Sequence, residues 1–134
     1  MAGEVHVSIN EETDIVVARQ QGRELAKQLG FSESELTVIA TAISELTRNI
    51  VDYAGHGEVI IKVIGGESKH GVEIIAHDNG PGIPNVELAM QDGYSTGHGL
   101  GLGLPGVKRL MDEFEITSQV GKGTTVVVKK WSRR

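Results

Sequence analysis

Val5, Val7 and Ile9 alternate with polar neighbours, the two-residue period of a strand that buries one face. Thr13 offers a cap for a helix running to about Leu29, where Gly30 stops it. Ser32 and Glu35, three apart, have the spacing of a capping box. They open a second helix in which Leu36, Ile39, Ile43, Leu46 and Ile50 recur at helical intervals, and which is expected to end near Gly55. Two valine- and isoleucine-rich runs, 58–64 and 72–76, are joined by a glycine-rich polar link and predict a hairpin whose near-continuous apolar residues are buried. Beyond them a short helix is expected over 86–90 and another over 105–111, with Pro105 in its first turn. Strands at 114–119 and 124–130 then flank a Gly-Lys-Gly turn. Adjacent antiparallel strands with helices before and between them favour a two-layer α/β sandwich over a regularly alternating parallel fold.

Composition narrows the function classes. At 134 residues, with 39% hydrophobic and 23% charged residues, the chain is expected to form one domain spanning 1–134, long enough to bury roughly two-thirds of its unfolded surface. A net charge of −5 argues against a nucleic-acid partner, which requires a basic footprint on phosphates. The cluster Lys129, Lys130, Arg133 and Arg134 reads as a solvated tail. The chain has no cysteine, so disulfide and thiolate chemistry are excluded. With neither an export signal nor a membrane-length apolar run, a cytoplasmic location is expected.

The 18 glycines gather in polar loops: DNGPG at 78–82, GHGLGLG at 97–103 and GKG at 121–123. Such clusters serve where backbone must approach a ligand closely, and here they point to a nucleotide. Asp78 closes an apolar run, and an ionised carboxylate there only accepts hydrogen bonds, which suits the exocyclic amine of adenine. Gly80 and Gly82 let a base lie against backbone. Gly97, Gly99, Gly101 and Gly103 precede a helix start and let several N–H groups converge on phosphate oxygens. Thr124 is within reach of a ligand held at Asp78. On the second helix Glu45 and Asn49, four apart, share a face away from the apolar stripe. Asn49 offers a hard amide oxygen for Mg²⁺, and Glu45 a base for a hydroxyl attacking a terminal phosphate. Each feature alone has a plainer reading, as a polar helix face or a turn. A dinucleotide fingerprint is disfavoured because Gly101, Gly103 and Gly106 follow a loop instead of a strand, and no P-loop pattern occurs. The five histidines lack metal-ligand spacing.

In chain order, SELTRNIVDYA, DNGPGIP, GHGLGLGLPG and GKGT resemble the N, G1, G2 and G3 boxes of the GHKL ATPase superfamily. The resemblance spans nearly the whole chain. It implies the Bergerat ATP-binding fold, with a mixed, mostly antiparallel sheet and helices on one face. Asn49 would ligate Mg²⁺, Glu45 would be the general base, and Asp78 would bind adenine in a pocket shaped by Gly80 and Gly82. Gly97, His98, Gly99, Leu100, Gly101 and Gly103 would cover the phosphates of ATP, with Thr124 completing the nucleotide site.

Within the superfamily, the compact length and the stretch DGYSTGHGLGLGLPGVKRLMDEF look most like small bacterial serine kinases that regulate sigma factors, in particular the switch kinase of the stressosome. Such kinases phosphorylate serine or threonine on STAS-domain scaffold partners, then bind and activate a PP2C-type phosphatase. One departure is the absence of lysine and arginine from 83–106, which leaves no lid arginine for the γ-phosphate and implies weak turnover or help from a partner. The competing expectations are an anti-sigma factor with kinase activity and a nucleotide-binding adaptor without catalysis.

Overall fold

Two local devices start the first pair of helices. Asp14 turns its carboxylate back to accept the backbone N–H groups of Asn10 and Glu11, at 2.8 and 3.1 Å. The first helix, α1 (Glu12–Gln28), therefore begins ahead of Thr13, which lies exposed in its first turn instead of capping it. At α2 (Glu33–Asn49) the capping box forms as the spacing predicts. Ser32 Oγ accepts the Glu35 N–H and Glu35 Oε1 accepts the Ser32 N–H, which satisfies donors that a helix start leaves orphaned.

The computed structural model describes residues 3–91 and 103–132. The strands are β1 (Glu4–Ile9), β2 (Gly57–Gly65), β3 (His70–Asp78), β4 (Glu113–Gln119) and β5 (Gly123–Trp131). A π-helical turn (Ile50–Ala54) extends α2, and the short helices α3 (Val86–Ala89) and α4 (Leu104–Leu110) lie between β3 and β4. One five-stranded sheet has the order β1-β2-β3-β5-β4, with every neighbouring pair antiparallel. The architecture is the expected α+β sandwich.

Register explains where the core sits. On the helix-facing side, Val7, Val59, Ala76, Val126 and Ile116 form one row across the five strands, and Val5, Ile61, Ile74, Val128 and Phe114 form the next. Both rows belong to or pack against the buried cluster completed by Leu36, Ile39, Ile43 and Leu46 of α2. The α2 stripe matches its predicted spacing. Thr47, also fully buried, was not part of that prediction, and its hydroxyl donates to the Ile43 carbonyl at 2.7 Å.

The opposite sheet face is polar, so the apolar runs in β2 and β3 are not buried throughout. Ile60, Ile75 and Val127 form a half-buried row on it. Beside that row lies an alternating one of Glu4, Lys62, Glu73, Lys129 and Glu113. Glu73 pairs with Lys62 at 3.5 Å and Lys129 at 3.8 Å, and Lys129 also reaches Glu113 at 3.8 Å. An antiparallel sheet with one solvated face shows this alternation. Lys129 and Lys130 are thus strand residues, not a solvated tail. Lys130 points to the helix side and donates to the Leu110 carbonyl at the end of α4.

Close packing of α1 on α2 and β2 depends on Gly22. It is buried, and a Cβ added there would collide with Cδ1 of Ile43 and lie 3.0 Å from Cδ1 of Ile61, two side chains with no exposed surface. Gly22→Val is expected to lower unfolding free energy by about 1–3 kcal/mol, the usual cost of overpacking a filled core. Urea denaturation followed by circular dichroism measures this. An unchanged midpoint would mean that α1 has room to shift.

Candidate functional site

The polar end of the sheet's helix-facing side is where chemistry is possible. Two residues beyond the apolar rows, on the same face, the register aligns Ile9, Gly57, Asp78, Thr124 and Ser118. Three of these five carry oxygen-bearing side chains. The apolar core therefore gives way to hydrogen-bonding groups within one step along the strands.

Above this row α2 changes pitch. Its backbone widens into the π-helical turn, in which the Gly55 N–H donates to the Ile50 carbonyl at 2.8 Å. Single π turns recur at functional sites because they redirect side chains over a short stretch. Here the turn places Ile50, Tyr53 and Ala54 along a cavity of about 360 Å³. Such a volume lies at the lower end of the range for small-molecule sites. Its apolar walls include Leu46, Ile50, Ile83, Leu88, Leu104 and Val126, and Asn49, Asp78, Asn85 and Thr124 supply polar groups. A mostly apolar ligand with a few polar edges matches this lining.

Asp78 is held before any ligand arrives. Its Oδ1 accepts the Gly80 N–H at 2.9 Å, which fixes the carboxylate at the close of β3. Gly80 supports the cavity from behind, where a Cβ would meet Ala54 at 2.6 Å. Gly82 lines the cavity with φ at 80° and lies against the Gln119 carbonyl. The loop from Asp78 to Ile83 is thus pinned both to the π turn and to the β4–β5 turn.

Glu45 and Asn49 are both half-buried and stand one turn apart on the last stretch of α2. Asn49 faces the cavity. Glu45 lies outside the lining and packs against Gly103, the residue preceding α4, whose φ is 70°. A Cβ at Gly103 would meet only the movable end of the Glu45 side chain, so it is the left-handed backbone conformation that favours glycine there. Asn49, Asp78, Gly82 and Thr124 therefore meet around one cavity, with Gly80 behind Asp78 and Glu45 beside Gly103. The expected phosphate-covering residues Gly97, His98, Gly99, Leu100 and Gly101 lie outside the described residues.

Sequence reasoning missed most of the cavity's walls. Tyr53 and Ala54 enter through the π turn, which no periodicity announces. Ile83 and Leu88 come from the loop and short helix after DNGPG, and Leu104 from the start of α4. Pairing 72–78 with 124–130 would have aligned Asp78 with Thr124, because both runs alternate and end in polar residues.

The described residues contain no helix long and apolar enough to cross a membrane. Residues 35–133 match the family described as histidine kinase-, DNA gyrase B-, and HSP90-like ATPase. Serine/threonine-protein kinase RsbT of Bacillus subtilis (strain 168) is 54% identical, over 95% of this chain and 96% of its own length. An anti-sigma F factor of Geobacillus stearothermophilus is 33% identical, over 97% of this chain and 93% of its own. Among solved structures, the RsbU and RsbW domains of Rv1364c from Mycobacterium tuberculosis superpose with a TM-score of 0.63. That likeness covers 97% of this chain and 32% of the other at 22% identity, and it speaks to fold alone. Family match, fold and relatives agree: the chain belongs to the histidine kinase-, DNA gyrase B- and HSP90-like (GHKL) ATPases, and it is an ATP-using protein serine/threonine kinase.

Proposed function

We propose that this kinase transfers the γ-phosphoryl group of Mg²⁺·ATP to a serine or threonine of a STAS-domain scaffold protein, and on release binds and activates a PP2C-type phosphatase. The observation that carries the nucleotide part is the meeting of Asp78 and Asn49 around one apolar cavity. The 54% identity to RsbT along almost the full length of both chains supports the signalling part. In this reading the protein works in the cytoplasm beside its partners.

The purine enters between the apolar walls, and its exocyclic amine donates to Asp78, whose orientation the Gly80 N–H has already set. Guanine presents a carbonyl at that position. An acceptor then faces an acceptor, and a carboxylate covered by the base without its donor is costly. GTP is accordingly a poor substrate. At the triphosphate end, the half-buried Asn49 offers a neutral oxygen suited to a hard cation that keeps phosphate and water among its ligands. Mg²⁺ bound there would neutralise charge on the phosphate oxygens. Glu45 stands one turn back, roughly 6 Å along the helix axis, and takes the proton of the attacking hydroxyl. Its packing against Gly103 sets the base beside the residue that precedes α4. No arginine lies in 83–106, so transition-state charge falls to the metal and backbone donors, and turnover is slow unless the partner contributes a cation.

An anti-sigma factor with kinase activity is the second reading, favoured by the 33% identity to anti-sigma F factors. The same pocket serves both, and the partner separates them. Pull-down against a STAS scaffold, a PP2C-type phosphatase and a sigma factor is expected to recover the first two, and exclusive capture of the sigma factor would overturn the choice. Transfer from labelled ATP to a hydroxyl of the STAS protein is expected alongside.

Substitutions separate the roles. Asn49→Ala and Asp78→Asn are expected to weaken Mg²⁺·ATP binding by about 10- to 100-fold, the usual loss for a hydrogen bond or ligand to a charged group. Glu45→Ala is expected to leave binding within about twofold and to slow transfer by about 100-fold or more, the scale of general-base catalysis. Calorimetry with ATP beside a radiolabel transfer assay distinguishes these outcomes. Normal transfer by Asp78→Asn would contradict the adenine assignment, and full activity of Glu45→Ala would remove the base.

A further inference from the structure

Phosphoryl transfer gathers negative charge on the migrating group, and the segment 83–106 has no lysine or arginine to meet it. Helix α2 carries one cation, Arg48, in its last turn. At about 100° per residue, Glu45 lies between Asn49, about 40° to one side, and Arg48, about 60° to the other. Cβ atoms three apart on a helix stand about 5–6 Å from each other, so the Arg48 side chain starts beside Glu45 and next in the chain to Asn49.

Little holds Arg48 where it rests. Its Nη1 reaches Glu12 Oε1 at 3.4 Å, and the two side chains are 48% and 76% exposed. One long contact between exposed groups stabilises little and exchanges readily. A terminal phosphate offers more, because its oxygens match the guanidinium fork and carry a larger charge. Other cations are placed elsewhere. Arg23 pairs with Glu33 at the opening end of α2, and Lys62 and Lys129 occupy the opposite face of the sheet. Lys130 is tied to the Leu110 carbonyl, and Lys108 and Arg109 stand in the last turn of α4, away from its Gly103 end.

We propose that Arg48 is a catalytic residue: when ATP binds, its guanidinium leaves Glu12 and contacts the γ-phosphoryl oxygens, supplying from α2 the positive charge that 83–106 lacks. The acceptor oxygen bonds to the γ-phosphorus as the bond to the bridging oxygen breaks, and ADP leaves with that electron pair. The hydroxyl proton goes to Glu45, and Arg48 offsets charge on the transferred oxygens. The inference rests on the reading of Glu45 and Asn49 as the phosphate end of the nucleotide site. It adds that a partner's cation is not required, because one stretch of helix supplies base, metal ligand and cation.

Two readouts test it. Calorimetry in the presence of Mg²⁺ compares AMP-PNP, which has a γ-phosphate, with ADP, which has none. Arg48→Ala is expected to weaken AMP-PNP binding by about 5- to 10-fold and to leave ADP binding within about twofold, because a charge-assisted hydrogen bond to the γ-phosphate is lost. In transfer from labelled ATP to the STAS protein, kcat is expected to fall by about 100-fold or more, the scale of one preorganised transition-state donor, with KM for the STAS protein unchanged. Arg48→Lys keeps the charge without the fork and is expected to retain part of kcat, and free guanidinium ion is expected to restore part of it to Arg48→Ala. Glu12→Gln removes the resting partner and is expected to leave kcat at or above that of the unsubstituted protein. A matching loss in Glu12→Gln would mean that the ion pair merely braces α1 on α2. Equal binding losses for AMP-PNP and ADP would mean that Arg48 does not meet the γ-phosphate, and a raised KM for the STAS protein at normal kcat would make Arg48 a docking residue. Each of these results overturns the proposal. Asn49→Ala, measured in parallel, separates the two levels: normal AMP-PNP binding by that variant sinks the phosphate-end reading itself, whereas weakened binding there beside normal AMP-PNP binding by Arg48→Ala defeats the arginine alone.

Discussion

One row of cross-strand neighbours organises this molecule. Where the helix-facing side of the sheet reaches Asp78, Thr124 and Ser118, valine and isoleucine give way to side chains that hydrogen-bond. Two rows further along the strands, the same positions are buried and apolar or pack on the core. The floor of the cavity is thus the end of the hydrophobic core, held by the same backbone ladder. The ladder sets the backbone of Asp78 while the loop that follows orients its carboxylate through the Gly80 N–H, and that loop is anchored again where the Ile83 N–H donates to Ser118.

The helical layer answers the sheet. Helix α2 buries one stripe against the strands and turns Asn49 toward the cavity, and its π turn brings Tyr53 and Ala54 down to the base of Asp78. One element therefore contributes both to the core and to the site.

The parts legible in the sequence were those written in local chemistry. The capping box at Ser32, the helical spacing of the α2 stripe and the hairpin link are all set within a few residues of themselves. That Asp78 and Asn49 would meet at one cavity was legible because residue type and motif order single them out without reference to neighbours. What escaped depends on contacts between distant segments. Thr13 looked like the better cap until Asp14 reached back to Asn10 and Glu11. The isoleucines of β2 looked uniformly buried because a one-residue period cannot tell a core row from a half-covered one, and Lys129 and Lys130 looked like a tail until β5 was seen to run through them. Ser118 was invisible because its meaning comes from register alone.

The account's central claim concerns where the two ends of ATP lie. A crystal structure with a non-hydrolysable ATP analogue and Mg²⁺ tests it directly. The account predicts the adenine amine on Asp78 and a metal ion on the Asn49 amide oxygen, with the triphosphate running between them past α2. Nucleotide bound elsewhere, or adenine in this cavity with its amine turned away from Asp78, would contradict it.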